Sequence, residues 1–157
     1  MNTVFDQVQR KAVCNVIATV MLALPLCASA ALGGVSASSE ADRAAMNGSM
    51  RVLPGAKYTV HEIEAPSGTK IREYVSPAGN IFAVAWDGPV MPDLRQTLGN
   101  YFDRYTAAAA GRQAGRRQIE VREPDFVVQA RGHMRAFSGT AYLPQALPEG
   151  VAPEELR

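Results

Sequence analysis

The sequence predicts an α+β fold: an antiparallel sheet of about six strands in the order β-β-β-α-β-β-β, with one amphipathic helix packed on one face. Three observations lead there. Two turns of the same spelling, Pro66-Ser67-Gly68 and Pro77-Ala78-Gly79, separate three strand-like runs between Tyr58 and Trp86. An apolar stripe at helical spacing follows (Leu94, Leu98, Tyr101, Phe102, Tyr105). Alternating runs then return from Gln118 to Leu143.

The twin turns set the register of the first three strands. Proline presets the first turn position, and glycine supplies the left-handed residue that closes a three-residue hairpin loop. Ala65 then faces Thr69, and the pairs run outward as Glu64–Lys70, Ile63–Ile71, Glu62–Arg72, His61–Glu73, Val60–Tyr74 and Thr59–Val75. This register, derived from turn length alone, places acid opposite base repeatedly, each such pair contributing about 0.2–1 kcal/mol. Carried across the second turn, it gives Val75–Ile81, Tyr74–Phe82, Ile71–Ala85 and Lys70–Trp86. His61, Glu73, Ala83 and Ala85 then share one face, and Lys70, Arg72, Tyr74, Phe82 and Trp86 the other. Both assignments rest on register, since a slip of one residue exchanges the faces.

The helix opens with Pro92 and Asp93, suited to a first turn and to the positive end of the helix dipole. Gly99 costs about 1 kcal/mol against alanine in a helix interior; close approach to Ala83 and Ala85 is the expected reason. Gly111 ends the helix, and Arg112, Arg116 and Arg117 sit in the loop beyond, which reads as a solvated loop or as a contact for a small anion or an acidic partner. Gln118–Arg122 reads as the fourth strand, Phe126–Arg131 as the fifth and Met134–Leu143 as the sixth, with Gly132-His133 as a two-residue turn and Gly139 as a bulge.

Flanking segments complete the organisation. Arg10 and Lys11, an apolar run from Ala12 to Cys27, and Ala28-Ser29-Ala30 together read as a cleaved signal peptide over residues 1–30. Cleavage after Ala30 leaves 127 residues, removes Cys14 and Cys27, and takes the formal net charge from +1 to 0. A neutral, cysteine-free mature chain gives no electrostatic case for nucleic acid and no thiol chemistry, and no membrane span is expected after cleavage. Residues 31–56, rich in Ala, Ser and Gly, read as a flexible segment with a short helix starting near Ser39-Glu40-Ala41-Asp42; residues 57–143 form the single domain; residues 144–157 read as a proline-rich extended tail.

The mature chain contains no HExxH, nucleophile elbow, phosphate loop or calcium loop, and no cofactor or metal is expected. Two constellations remain. His61 opposite Glu73 could orient a general base, or could be a satisfied polar pair at a sheet margin. Trp86 with Tyr74, Phe82 and Lys70 could bind a ligand, or could be core beneath the later strands. His133 reads as a solvated turn residue.

Arg72-Glu73-Tyr74-Val75, Gly79-Asn80-Ile81-Phe82-Ala83-Val84-Ala85-Trp86, Pro92-Asp93-Leu94 with Leu98-Gly99, Gly132-His133-Met134-Arg135-Ala136-Phe137-Ser138-Gly139 and Ala141-Tyr142-Leu143-Pro144 together resemble a domain-of-unknown-function family of secreted proteins in Gram-negative bacteria (DUF2844-like). The resemblance spans almost the whole mature chain and implies export and a single domain. It implies no activity. A Gly-turn hairpin such as Tyr74 to Phe82 is also similar to small exported domains of the PepSY type, at the level of fold alone.

The functional expectation is a non-catalytic binding or interaction module of the periplasm or envelope, with a protein, peptide or envelope glycan as partner. Two alternatives stand beside it: a small exported enzyme using His61 and Glu73, and a structural or assembly component of the envelope.

Overall fold

The computed structural model describes residues 32–111 and 118–157. The expected signal peptide and the Arg112–Arg117 loop lie outside the described residues. The fold is α+β: one seven-stranded, wholly antiparallel sheet in the order β1-β2-β3-β4-β7-β6-β5. The strands are β1 (Ser49–Pro54), β2 (Thr59–Glu64), β3 (Lys70–Val75), β4 (Ile81–Gly88), β5 (Gln118–Arg122), β6 (Val127–His133) and β7 (Ala136–Tyr142). The helices are α1 (Ser39–Ala45), α2 (Leu94–Leu98) and α3 (Phe102–Ala110).

The first two hairpin loops have the same geometry. Gly68 and Gly79 stand at φ +83° and +84°, and each amide donates back across its turn, to Ala65 O at 2.9 Å and Ser76 O at 2.8 Å. All six β2–β3 pairs follow the expected register, from Glu64 opposite Lys70 to Thr59 opposite Val75.

The second hairpin begins as expected, with Val75 opposite Ile81, and then departs. A bulge between Tyr74 and Val75 sets Tyr74 opposite Ala83 and Ile71 opposite Trp86, leaving Phe82 as the extra residue. The carbonyl freed there accepts from Leu143 N at 2.9 Å. Beyond the bulge every side chain of β4 lies on the opposite face from the one expected. Trp86 therefore joins Ile71 and Glu73, while Ala83 and Ala85 join Tyr74 and Arg72.

The short helix expected from Ser39-Glu40-Ala41-Asp42 is present as α1. One element departs from the reading of residues 31–56 as a flexible segment: residues 49–54 form the edge strand β1, paired with β2 along its length. The seventh strand is this one. Its burial is slight, with Val52 and Leu53 half exposed, which explains why its sequence carries no clean alternation. At the other end, the tail is not simply extended: Pro144–Ala146 and Pro153–Glu155 form single 3-10 turns, and Val151 and Leu156 are buried.

The expected continuous helix is broken. Asp93 caps α2, its Oδ1 accepting from Arg95 N at 2.9 Å and Gln96 N at 3.2 Å. Gly99 then takes φ +52° and a short 3-10 turn leads into α3. A left-handed backbone, not approach to Ala83 and Ala85, is what glycine supplies here. The Gly132-His133 turn is also displaced. β6 runs through His133, and the two-residue turn is Met134-Arg135, with Arg135 at φ +63° and Met134 fully in solvent at 91 % exposure.

The sheet buries both faces. On one, Leu94, Leu98 and Tyr105 join Ile71, Val84, Trp86, Phe126 and Val128 in one core. On the other, Val151 and Leu156 from the tail join Tyr74, Phe82, Ala83 and Ala85. Arg104 clamps α3 to the β5–β6 turn. Its guanidinium meets both oxygens of Asp125 at 2.7 and 2.9 Å, pairs with Glu123, and lies over the stacked rings of Tyr101 and Phe126.

Gly139 is not a bulge: β7 keeps register through it on both sides, opposite Trp86 and Ala130. A Cβ there would stand 2.2 Å from the indole Cζ2. Gly139→Ala is therefore expected to lower stability by about 1–3 kcal/mol through forced repacking. Urea unfolding followed by the emission of Trp86, the sole tryptophan, checks this. The wild-type emission should be blue and resistant to acrylamide, since Trp86 is 1 % exposed; an unchanged midpoint in the variant would contradict the packing argument.

Candidate functional site

The register brings His61 and Glu73 side by side on the helix face. A third element, α1, lies over them and determines what they do. His61 Nδ1 is 2.9 Å from Ser39 Oγ, so its hydrogen bond goes to the helix and not to the neighbouring carboxyl. Glu73 is 2 % exposed and meets Ser39 and Asp42. Asp42 is equally buried and accepts from Gln96 Nε2 at 2.7 Å, which ties α1 to α2.

Burial raises the Glu73 carboxyl to about 8; the bond with Ser39 opposes this, and neighbouring Asp42 adds to it. Two carboxyls enclosed together cannot both ionise cheaply, so the Glu73–Asp42 pair holds a proton well above the usual carboxylate range. Desolvation also lowers the imidazole of His61 below its ordinary value. An enclosed pair that holds a proton is no partner for a general base. The chemistry available here is proton-linked docking of α1 onto β2 and β3.

The four aromatic-site candidates do not form one surface. Trp86 is on the helix side of the sheet, whereas Tyr74 and Phe82 are on the other, a consequence of the bulge. All three rings are buried. Tyr58, Tyr74 and Phe82 pack edge to face or tilted at 5.5–6.3 Å, beneath the tail. The Tyr74 hydroxyl donates to Arg157 O at 2.8 Å and accepts from Arg157 N at 2.9 Å. Lys70 stands apart from the rings, opposite Asp87.

The tail side of the sheet carries a different constellation. One register line crosses all seven strands through Arg51, Glu62, Arg72, Ala85, Thr140, Gln129 and Glu120. The adjacent line carries Glu64, Lys70, Asp87, Ser138, Arg131 and Gln118. At one end, Arg51, Glu62, Arg72 and Asp87 form a chain of ion pairs at 2.5, 2.9 and 2.8 Å. Burial alone would raise the Glu62 carboxyl; its bonds to Arg51 and Arg72 outweigh this and hold it below the usual range.

Where the two lines meet the tail, the surface sinks into a cleft of about 640 Å³. Its floor and near wall carry Arg72, Asp87, Arg122, Gln129, Arg131, Ser138, Thr140 and Tyr142; Pro153, Glu154, Leu156 and Arg157 form the far wall. Thr140 Oγ1 reaches Leu156 O at 3.3 Å and holds that wall down. Of the aromatic candidates, Trp86 alone borders this cleft. Arg72 was legible as a residue of the polar face. Arg131, Gln129, Ser138 and Thr140 were not, because nothing local in the sequence says that β7 lies against β4.

Glu73 gives a signed pH dependence. Its carboxyl is raised in the folded state, so between about 4.5 and 8 the native protein holds a proton that the unfolded chain releases. The stabilisation is complete below pH 4.5 and is lost as pH rises to 8, at up to about 1.4 kcal/mol per pH unit. Glu73→Gln should flatten that slope while His61, whose lowered value contributes the opposite sign below pH 6.5, is common to both proteins. Urea denaturation of the two across pH 4–9 checks this; parallel curves would contradict it.

Comparison with curated proteins and with solved structures finds no match. The family described as "Protein of unknown function (DUF2844)" matches residues 28–156, most of the chain, and the protein belongs to that family.

Proposed function

We propose that this protein is exported to the periplasm or beyond and acts there as a non-catalytic binding module, its ligand docking in the cleft between the polar sheet face and the tail. The observation that carries the reading is the cleft itself. Its volume falls within the range of about 300–1,000 Å³ common for ligand sites, and convergent polar side chains from five strands, β3 to β7, line it. These groups stand on paired strands and not on loops, so they are held in place before a ligand arrives.

Export rests on the basic, apolar and small-residue pattern of the first thirty residues. Among the described residues, no helix is long and apolar enough to cross a membrane. The binding reading is preferred to the enzyme reading because Glu73 is enclosed and His61 is engaged by Ser39.

Two measurements check the reading. Expressed in a Gram-negative host, the secreted or periplasmic chain should begin at Ala31 by N-terminal sequencing; an intact Met1 would defeat export. Titrated with soluble fragments of the bacterial envelope, the labelled mature protein should show amide shifts in β6, β7 and residues 153–157. Saturable shifts confined to β1, α1 or the helix face would place the ligand elsewhere and defeat the cleft.

A further inference from the structure

We infer that the ligand of this cleft is an acidic oligosaccharide, held by its carboxylates on Arg131 and Arg157 and by its hydroxyls on the neighbouring amide and hydroxyl side chains. This rests on the cleft being the binding site, as proposed above, and names the class of molecule it takes.

The charge of the cleft is the first ground. Four arginines border it against two carboxylates, Asp87 and Glu154. Arg72 is already bonded to Glu62 and Asp87, and Arg122 is paired with Glu120. Among the described residues, Arg131 and Arg157 make no ion pair with any carboxylate. Both are exposed. The cleft thus presents two guanidinium groups whose charge is not consumed by the fold, and a planar guanidinium takes a carboxylate through two parallel hydrogen bonds.

The remaining lining decides between a sugar and a peptide. β4, β7 and β6 are interior strands whose backbone groups are taken up by their neighbours on both sides. The edge strand β5 borders the cleft only at its last residue, Arg122, so an extended peptide finds no free strand edge over the cleft floor, and recognition there falls to side chains. Those side chains are Gln129 and Ser138, which donate and accept, and Thr140, Asp87 and Glu154, which accept, the Thr140 hydrogen being taken by Leu156 O. That set matches a ligand with many hydroxyls. Tyr142, Pro153 and Leu156 add apolar surface on which the C–H face of a sugar ring can lie.

The far wall makes the site conditional on the tail. Arg157 is positioned through its backbone by the Tyr74 hydroxyl on both its N–H and its carbonyl. Tyr74 does not border the cleft; it is a positioning residue for a wall that does.

Calorimetry and amide-shift titration of the mature protein with trigalacturonate, and with the uncharged trisaccharide maltotriose, test the inference. The acidic sugar should bind saturably with shifts in β6, β7 and residues 153–157, and maltotriose at least about tenfold more weakly. Arg131→Ala should weaken trigalacturonate by about tenfold or more, Arg131→Lys should recover part of that, and added salt should weaken it further. Tyr74→Phe should weaken it several-fold and speed proteolysis of the tail. Arg131 is exposed, so its variants are expected to keep the wild-type melting temperature. Equal binding of both sugars at the cleft, unaffected by Arg131→Ala, would overturn the acidic class and leave the cleft as a binding site. Absence of saturable cleft shifts with trigalacturonate would overturn the inference outright, while the envelope-fragment titration decides the cleft separately.

Discussion

Every residue of β4 from Ile81 to Trp86 is buried, and a strand enclosed on both sides requires a cover on both sides of the sheet. An antiparallel sheet commonly leaves one face to water. Here the bulge at Phe82 removes that option locally. It places Phe82 and Ala83 toward Tyr74 and turns Val84 and Trp86 to the opposite side. Both sides of the central strands become apolar, and the chain supplies two covers, one from its middle and one from the tail. The helices and Leu32 close one side; the segment ending at Leu156 and Arg157 closes the other.

The two covers differ in reach, and the difference creates the cleft. The helical cover is broad, reaching from Ile71 under α2 to Val121 and Phe126 under α3. The tail is one chain wide. It seals the aromatic cluster of Tyr58, Tyr74 and Phe82 and stops short of the outer halves of β6 and β7. There the outward positions are Gln129, Arg131 and Ser138, polar because the tail does not reach over them, and Thr140, whose hydroxyl holds the edge of the tail at Leu156 O. Ala83 and Ala85 have their explanation here: small side chains at the centre let the tail lie close to the sheet, a role first ascribed to helix packing.

How much of this the sequence disclosed follows from how local each determinant is. Turn-encoded features were legible: the Pro-x-Gly loops gave every β2–β3 pair, and the Gln118–Arg122 strand appeared with the bounds read from its alternation. The bulge was not, because no glycine or proline marks Phe82 and the carbonyl of the extra residue meets Leu143, far along the chain. That one missed residue moved Trp86 to the wrong face and dissolved the aromatic site. β1 was missed for the opposite reason: as an edge strand with little burial, Ser49–Pro54 needs little hydrophobic patterning. The cleft depends on β7 lying beside β4, a pairing between segments with the helices and two strands between them, and no local pattern records it.

The two enclosed glutamates show how the same constraint produces opposite electrostatics on the two faces. Glu62 and Glu73 lie on adjacent strands, and burial alone would raise both carboxyls. On the polar face Glu62 finds Arg51 and Arg72 within hydrogen-bond reach, and the pairs keep it ionised despite its burial. On the helix face Glu73 finds Ser39 and the carboxyl of Asp42, and the pair keeps a proton instead. The first arrangement weakens on acidification and the second on alkalinisation. A side of the sheet able to hold an ionised carboxylate must have guanidinium groups to spare, and continuing along that side from Arg72 leads to Arg131 and Arg157. The helix side solves its charge problem by neutralisation, which leaves a closed and proton-tight core. The tail side solves it by pairing, which leaves charged groups at the surface where the pairing runs out. On this argument the site belongs on the tail side, and the His61–Glu73 neighbourhood belongs to the stability of the fold.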